Sequence, residues 1–95
     1  MTLGKVVGTV VATTKDEKLT GGKLLLVQEL SLDGEPLERY AVAVDSVGSG
    51  IGEVVLVATG SSARLTEATK NRPVDAVVMA IVDSMEVHGK TVYRK

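Results

Sequence analysis

Three aspartates, two adjacent serines, one arginine and one histidine are the residues of this chain that could do chemistry. Asp45, Asp75 and Asp83 are candidate general acids or bases. Each falls at or near the end of an apolar run, where a carboxylate also accepts backbone N–H bonds, and no nucleophile–base pair stands beside them. Ser61 and Ser62 need an activating base to act as nucleophiles, and Gly60-Ser-Ser-Ala lacks the G-x-S-x-G spacing of a nucleophile elbow. They read instead as helix caps, or as hydroxyls lining an opening. Arg64 could hold a phosphate; we read it as forming a buried or intersubunit ion pair with one of the aspartates. His88 lies in a polar turn and reads as solvated.

Gly48-Ser-Gly-Ile-Gly52 has the density of glycine found in phosphate-binding loops. The third glycine of G-x-G-x-x-G would fall at position 53, which is Glu53, and an apolar strand rather than a helix follows. The segment therefore reads as a tight connection between two strands. No other pattern supplies catalysis, cofactor binding or a metal site. Cysteine is absent, and one histidine does not make a metal cluster.

Composition narrows the function classes further. The chain has 95 residues, which suits a single domain spanning 1–95. At that size only about 60–65% of the unfolded chain's surface can be buried, so a partner surface is a reasonable supplement. Eleven basic and twelve acidic residues give a net charge of −1, without the basic footprint of a nucleic-acid binder. Phe and Trp are absent, leaving Tyr40 and Tyr93 as the aromatic residues, too few for a base-stacking platform. No apolar run approaches the roughly 18 residues of a membrane span, and Met1-Thr-Leu-Gly-Lys5 lacks signal-peptide character. A soluble cytosolic protein is expected.

The elements that position these residues are strands. β-Branched residues dominate and turn signals recur at short intervals. Strands are expected over Leu3–Thr14, Lys23–Leu30, Glu38–Asp45, Val54–Thr59 and Val74–Glu86, with a short terminal strand Thr91–Arg94 after a tight turn at His88-Gly89-Lys90. Lys15–Gly22, Leu32–Pro36 and Thr69–Pro73 read as loops, and Ala63–Ala68 as a short serine-capped helix. Gly4 and Gly8 suggest bending or close backbone approach. The fold class is all-β: a small OB-like five-stranded barrel with one short helix and a C-terminal hairpin. An open sandwich is the other possibility.

Two strands depart from simple alternation. Val6, Val7, Val10, Val11 and Ala12 put apolar groups on both faces of the first, and Ala76 to Val82 is uninterrupted in the fifth. Monomers rarely expose such a stripe, so a neighbouring subunit is expected over Val78, Ala80 and Val82, unless the short helix or the terminal strand covers it.

These segments carry a resemblance. Ala41-Val-Ala-Val-Asp-Ser-Val-Gly-Ser-Gly-Ile-Gly-Glu53 and Gly60-Ser-Ser-Ala-Arg64 stand with Pro73-Val-Asp-Ala76 and Ile81-Val-Asp83. With the openings Gly4-Lys-Val-Val-Gly-Thr-Val-Val-Ala-Thr13 and Lys23-Leu-Leu-Leu-Val-Gln28, they resemble bacterial microcompartment vertex proteins, the ethanolamine-utilisation and carboxysome pentamer family. The resemblance implies a non-catalytic homopentamer of OB-like barrels without cofactor or metal. It would plug the fivefold vertices of a polyhedral shell in the bacterial cytoplasm, beside hexameric and pseudohexameric tile proteins. It also implies that Gly60, Ser61 and Ser62 border an axial opening. Arg64, Asp45, Asp83, Val78, Ala80 and Val82 are then the expected subunit-interface residues. Carbon-fixing and catabolic shells use similar vertex proteins, and our reading leans to the catabolic kind. The competing readings are an OB-type oligonucleotide- or oligosaccharide-binding module, which charge and missing aromatics oppose, and a small enzyme, which the missing nucleophile–base set opposes.

Overall fold

A computed structural model describes residues 1–13, 16–19, 22–70 and 74–95. Its strands are β1 (Thr2–Val10), β2 (Leu24–Leu30), β3 (Pro36–Asp45), β4 (Val54–Thr59), β5 (Ala76–Ile81), β6 (Ser84–Val87) and β7 (Lys90–Arg94). Short 3-10 turns lie at Glu17–Leu19 and Gly60–Arg64. β1 to β5 close a barrel in the order β1-β2-β3-β5-β4, and β6-β7 form a separate hairpin. β3 and β5 run parallel, while the other described barrel pairs are antiparallel. This is the OB-type barrel expected from the strand pattern.

The barrel interior is aliphatic: Val6, Leu25, Val27, Ala43, Val55, Val57, Ala76 and Val78 pack together. Small side chains let five strands close tightly. The backbone of β1 approaches β2 closely enough that a Cβ on Gly4 would overlap Val27 Cγ1 and lie 3.2 Å from the Gln28 carbonyl oxygen. β1 also carries a register shift between Val6 and Gly8, which bends the strand around the barrel.

A second apolar cluster lies outside the barrel wall. Val44, Ala58 and Val77, on neighbouring strands, are covered by Ala63 of the second 3-10 turn and by Val74. This corrects the expectation of a bare stripe on the fifth strand. Val77 and Val78 point to opposite faces, yet both have no accessible surface within the protomer. At Val77 the chain's own turn and Val74 supply the cover, while Met79 to Val82 stay half-buried.

Strand ends follow ladder partners rather than composition. β1 ends at Val10, opposite Leu24, the first residue of β2; Thr14, Lys15 and Gly21 of the expected strand and loop lie outside the described residues. The expected strand Val74–Glu86 is divided. Val82 N–H donates to the Val54 carbonyl at 2.8 Å, where β4 begins, and the chain then leaves the barrel to pair as β6 with β7. In the turn of this hairpin His88 and Gly89 both have positive φ, 52° and 76°, as a type I′ turn requires.

Candidate functional site

The loop after β3 is closed on itself. Asp45 Oδ1 accepts from Val47 N, Ser49 N and Ser49 Oγ at 3.2, 3.2 and 3.0 Å. Lys23 Nζ reaches Asp45 Oδ2 at 3.9 Å and donates to the Ser49 carbonyl at 2.9 Å. Glu53 Oε1 accepts from Gly50 N at 2.7 Å, and Gly52 N donates to the Val6 carbonyl at 2.8 Å. The N–H groups of Val47, Ser49, Gly50 and Gly52 are thus spent on protein acceptors, two of them carboxylates. A carboxylate already in that cradle repels an anion. The geometry agrees with reading Gly48 to Gly52 as a connection.

These bonds also reassign Asp45. Its side chain is almost wholly buried and satisfied inside the protomer, so it is not free to pair with Arg64 across a boundary. Val78 belongs to the barrel's own core and likewise leaves the interface set. Ala80 and Val82 remain half-buried, and Asp83 is exposed, its carbonyl accepting Lys95 N–H at 2.8 Å.

Gly60, Ser61, Ser62 and Arg64 form one exposed projection at the end of β4. Gly60, with φ of 68°, turns the chain sharply, and its N–H donates to the Asp75 carbonyl at 2.8 Å. The 3-10 turn therefore starts before the serines. Its N-cap is Thr59, without a side-chain cap, and Ser62 Oγ donates back to the Thr59 carbonyl at 2.8 Å. Neither serine caps a helix, and the expected helix Ala63–Ala68 is instead this turn followed by a separate turn in which the Thr66 and Thr69 hydroxyls meet at 2.7 Å. Pro73 lies outside the described residues. Arg64 has no ion pair among the described residues; Asp75, which follows at the same barrel end, is exposed.

At this end a recess of about 230 Å³ opens into the barrel. Leu3, Val27, Ala41 and Val57 line it, and the Glu29–Arg39 ion pair and Tyr40 stand at its rim. It holds no nucleophile with a base. Among the described residues no cluster of three metal-ligating side chains occurs, and no helix is long and apolar enough to cross a membrane.

The family described as ethanolamine utilisation protein EutN/carboxysome matches residues 1–83, all of the barrel. The chain belongs to this family. The carboxysome shell vertex protein CcmL of Synechocystis sp. is 54% identical across the whole of this chain and 95% of that protein. The microcompartment shell vertex protein EutN of Salmonella typhimurium is 42% identical across the whole chain and 96% of its own length. The solved structure of GrpN, a pentameric microcompartment shell protein from Rhodospirillum rubrum, superposes with a TM-score of 0.83. It is 48% identical, over 92% of this chain and 100% of that one. The hairpin β6-β7 lies beyond the family match but within the full-length likeness to CcmL.

Proposed function

We infer that this chain is a structural, non-catalytic shell protein. Five copies form a ring that caps the fivefold vertices of a polyhedral bacterial microcompartment. The observation that carries this reading is full-length likeness: the barrel, the glycine loop and the Gly60–Arg64 projection fall within the matches to proteins named for shell vertices, one of them pentameric. A heterologous interface whose rotation closes makes such a ring. The ring sits in the shell, in the bacterial cytoplasm, against hexameric and pseudohexameric tile proteins. The compartment we propose is a carboxysome, because the carboxysome relative is nearer in sequence than the ethanolamine-utilisation one; the lean toward a catabolic shell gives way to this.

Gly60, Ser61 and Ser62 border the axial opening in this reading. Their exposure on a projection at one barrel end supports it. Arg64 pairs with a carboxylate of the next copy, and Asp75 is the strand-end aspartate at its own end of the barrel.

Light scattering on the purified chain at micromolar concentration tests the ring. A single species of about five chain masses is expected. A monodisperse monomer overturns the reading.

A further inference from the structure

We propose that the terminal hairpin β6-β7 is a flap: hinged at Val82 and Asp83 and latched by Lys95 on Glu53, it opens away from the barrel while β1 to β5 stay folded. The proposal goes beyond the ring reading and does not rest on it.

The barrel is complete without the hairpin. β5 pairs with both β3 and β4, which closes the cylinder, and β6 and β7 pair only with each other. Both buried apolar clusters draw their members from between Val6 and Val78. No residue from 79 to 95 is buried; in the hairpin Met85, Val87, Val92 and Tyr93 are half-buried and the rest are exposed. Lifting the hairpin therefore takes no buried side chain of its own into water. A two-stranded hairpin by itself is marginal in water, so this one depends on what holds it down.

That hold is thin. Between hairpin and barrel lies a cleft of about 280 Å³, with Val7, Leu30 and Val54 on the barrel side and Met85, Val92 and Tyr93 on the hairpin side. A space of that size between apolar walls is packing that the two units do not make with each other. Val92 has no partner across the ladder, because the register shifts between Met85 and Glu86. The irregularity lets the consecutive residues Val92 and Tyr93 both border the cleft. Among the described residues one hydrogen bond crosses from residues 84–95 to residues 1–82, from Lys95 Nζ to Glu53 Oε2 at 3.0 Å. Both side chains are partly exposed, so water competes for this latch.

The hinge has two fixed ends. Val82 N–H donates to the Val54 carbonyl at 2.8 Å, the last backbone bond to the barrel. Lys95 N–H donates to the Asp83 carbonyl at 2.8 Å and closes the base of the hairpin. The hairpin thus keeps its own ladder up to Asp83 and turns as one piece about the joint between these anchors. The latch also has a second consequence. Glu53 holds Gly50 N–H through its other oxygen at 2.7 Å, so opening removes one of the two partners that fix this carboxylate, and the glycine loop loosens with the flap.

Hydrogen exchange of the full chain in increasing sub-denaturing urea tests this, with light scattering on the same sample reporting the ring separately. Amides of β6 and β7 should exchange at least about tenfold faster than those of β4 and β5. Their rates should respond weakly to urea while the barrel's rise steeply, because opening the flap exposes little surface. Gly4→Ala, which strains the barrel alone, should speed exchange in β4 and β5 about fivefold or more and leave β6 and β7 unchanged. Lys95→Ala should speed β6, β7 and residues 48–52 about two- to fivefold, the effect of an exposed ion pair. Equal rates and equal urea dependence in β4, β5, β6 and β7 of the parent would make the chain one cooperative unit and overturn the proposal, as would a hairpin that speeds up with Gly4→Ala. Hairpin exchange indifferent to Lys95→Ala would overturn the latch. The comparison within the parent decides the matter even where Gly4→Ala does not fold, and it does so whether the sample is a ring or a monomer.

Discussion

Glu53 Oε2 lies 3.0 Å from Lys95 Nζ, which ties the residue after β7 to the residue that closes the glycine loop. Through Oε1 the same carboxylate holds Gly50 N–H. One side chain therefore couples the hairpin to the loop between β3 and β4. Both partners are substantially solvated, and the bond is correspondingly screened.

The coupling predicts a pH dependence. The Lys95 hydrogen bond, then the Gly50 one, lowers the Glu53 carboxyl from its ordinary 4.5, and the Glu53 hydrogen bond raises Lys95 from its ordinary 10.5. A depressed carboxyl stabilises the fold above its unfolded value and loses that contribution as pH falls through the folded value. A raised ammonium keeps its contribution below 10.5 and loses it as pH rises through the folded value. Glu53→Gln should melt below the parent at neutral pH, and the gap should close on acidification below 4.5. Melting curves across pH check this; a gap that widens in acid would contradict it.

Gly4→Ala places a methyl against Val27 inside a closed barrel. Overpacking of this kind costs about 1–3 kcal/mol. Urea unfolding of the variant should show that loss, whereas Gly8→Val, on the outer face, should leave the protomer's unfolding nearly unchanged.

Asp45→Ala acts on folding. It leaves the buried Ser49 hydroxyl without its acceptor and Lys23 without its carboxylate. Stranding such groups costs about 1–3 kcal/mol. The loss should appear in denaturant unfolding of dissociated protomers, in which a purely intersubunit Asp45 would be silent.

Arg64→Ala has the opposite signature. The side chain is exposed and has no ion pair among the described residues, so protomer stability should stay within about 0.5 kcal/mol of the parent. Ring assembly should weaken, by about tenfold or more in dissociation midpoint. Charge reversal at Asp75 combined with Arg64→Glu should recover part of it if these two residues pair. An Arg64→Ala ring as tight as the parent's would remove Arg64 from the interface.

If Ser62 borders an axial opening as proposed, Ser62→Leu should narrow it while five copies still assemble. It removes only the back-bond to Thr59 within an exposed turn. Intact shells carrying it should leak small polar metabolites more slowly. Five copies of Gly60–Ser62 far from the axis in an assembled structure would end that proposal, and unchanged leakage would deny the opening a transport role.

Periodicity and turn chemistry were local properties, and the sequence carried them unaided. Val54–Thr59 was legible to the residue, and the aliphatic barrel and the family likeness were legible too; the tight turn expected at His88-Gly89-Lys90 is one residue shorter, because Lys90 already pairs with Val87 as the start of β7. The closed character of Gly48 to Gly52 was legible because Glu53 stands where a phosphate loop needs glycine. Which face of a two-faced strand is already covered was not legible. That depends on where Ala63 and Val74 come to rest, and folding packs both with Val77 and its ladder partners Val44 and Ala58 on the two neighbouring strands. The same non-local packing puts Val78 in the protomer's own core, whereas Asp45 is satisfied locally, by the N–H groups and hydroxyl of the loop that follows it. The packing left Val42 and Tyr40 uncovered, although their segment reads as an ordinary strand. Register decided this, because shifting β3 by one residue against β2 would exchange Val42 with Ala43 between solvent and core.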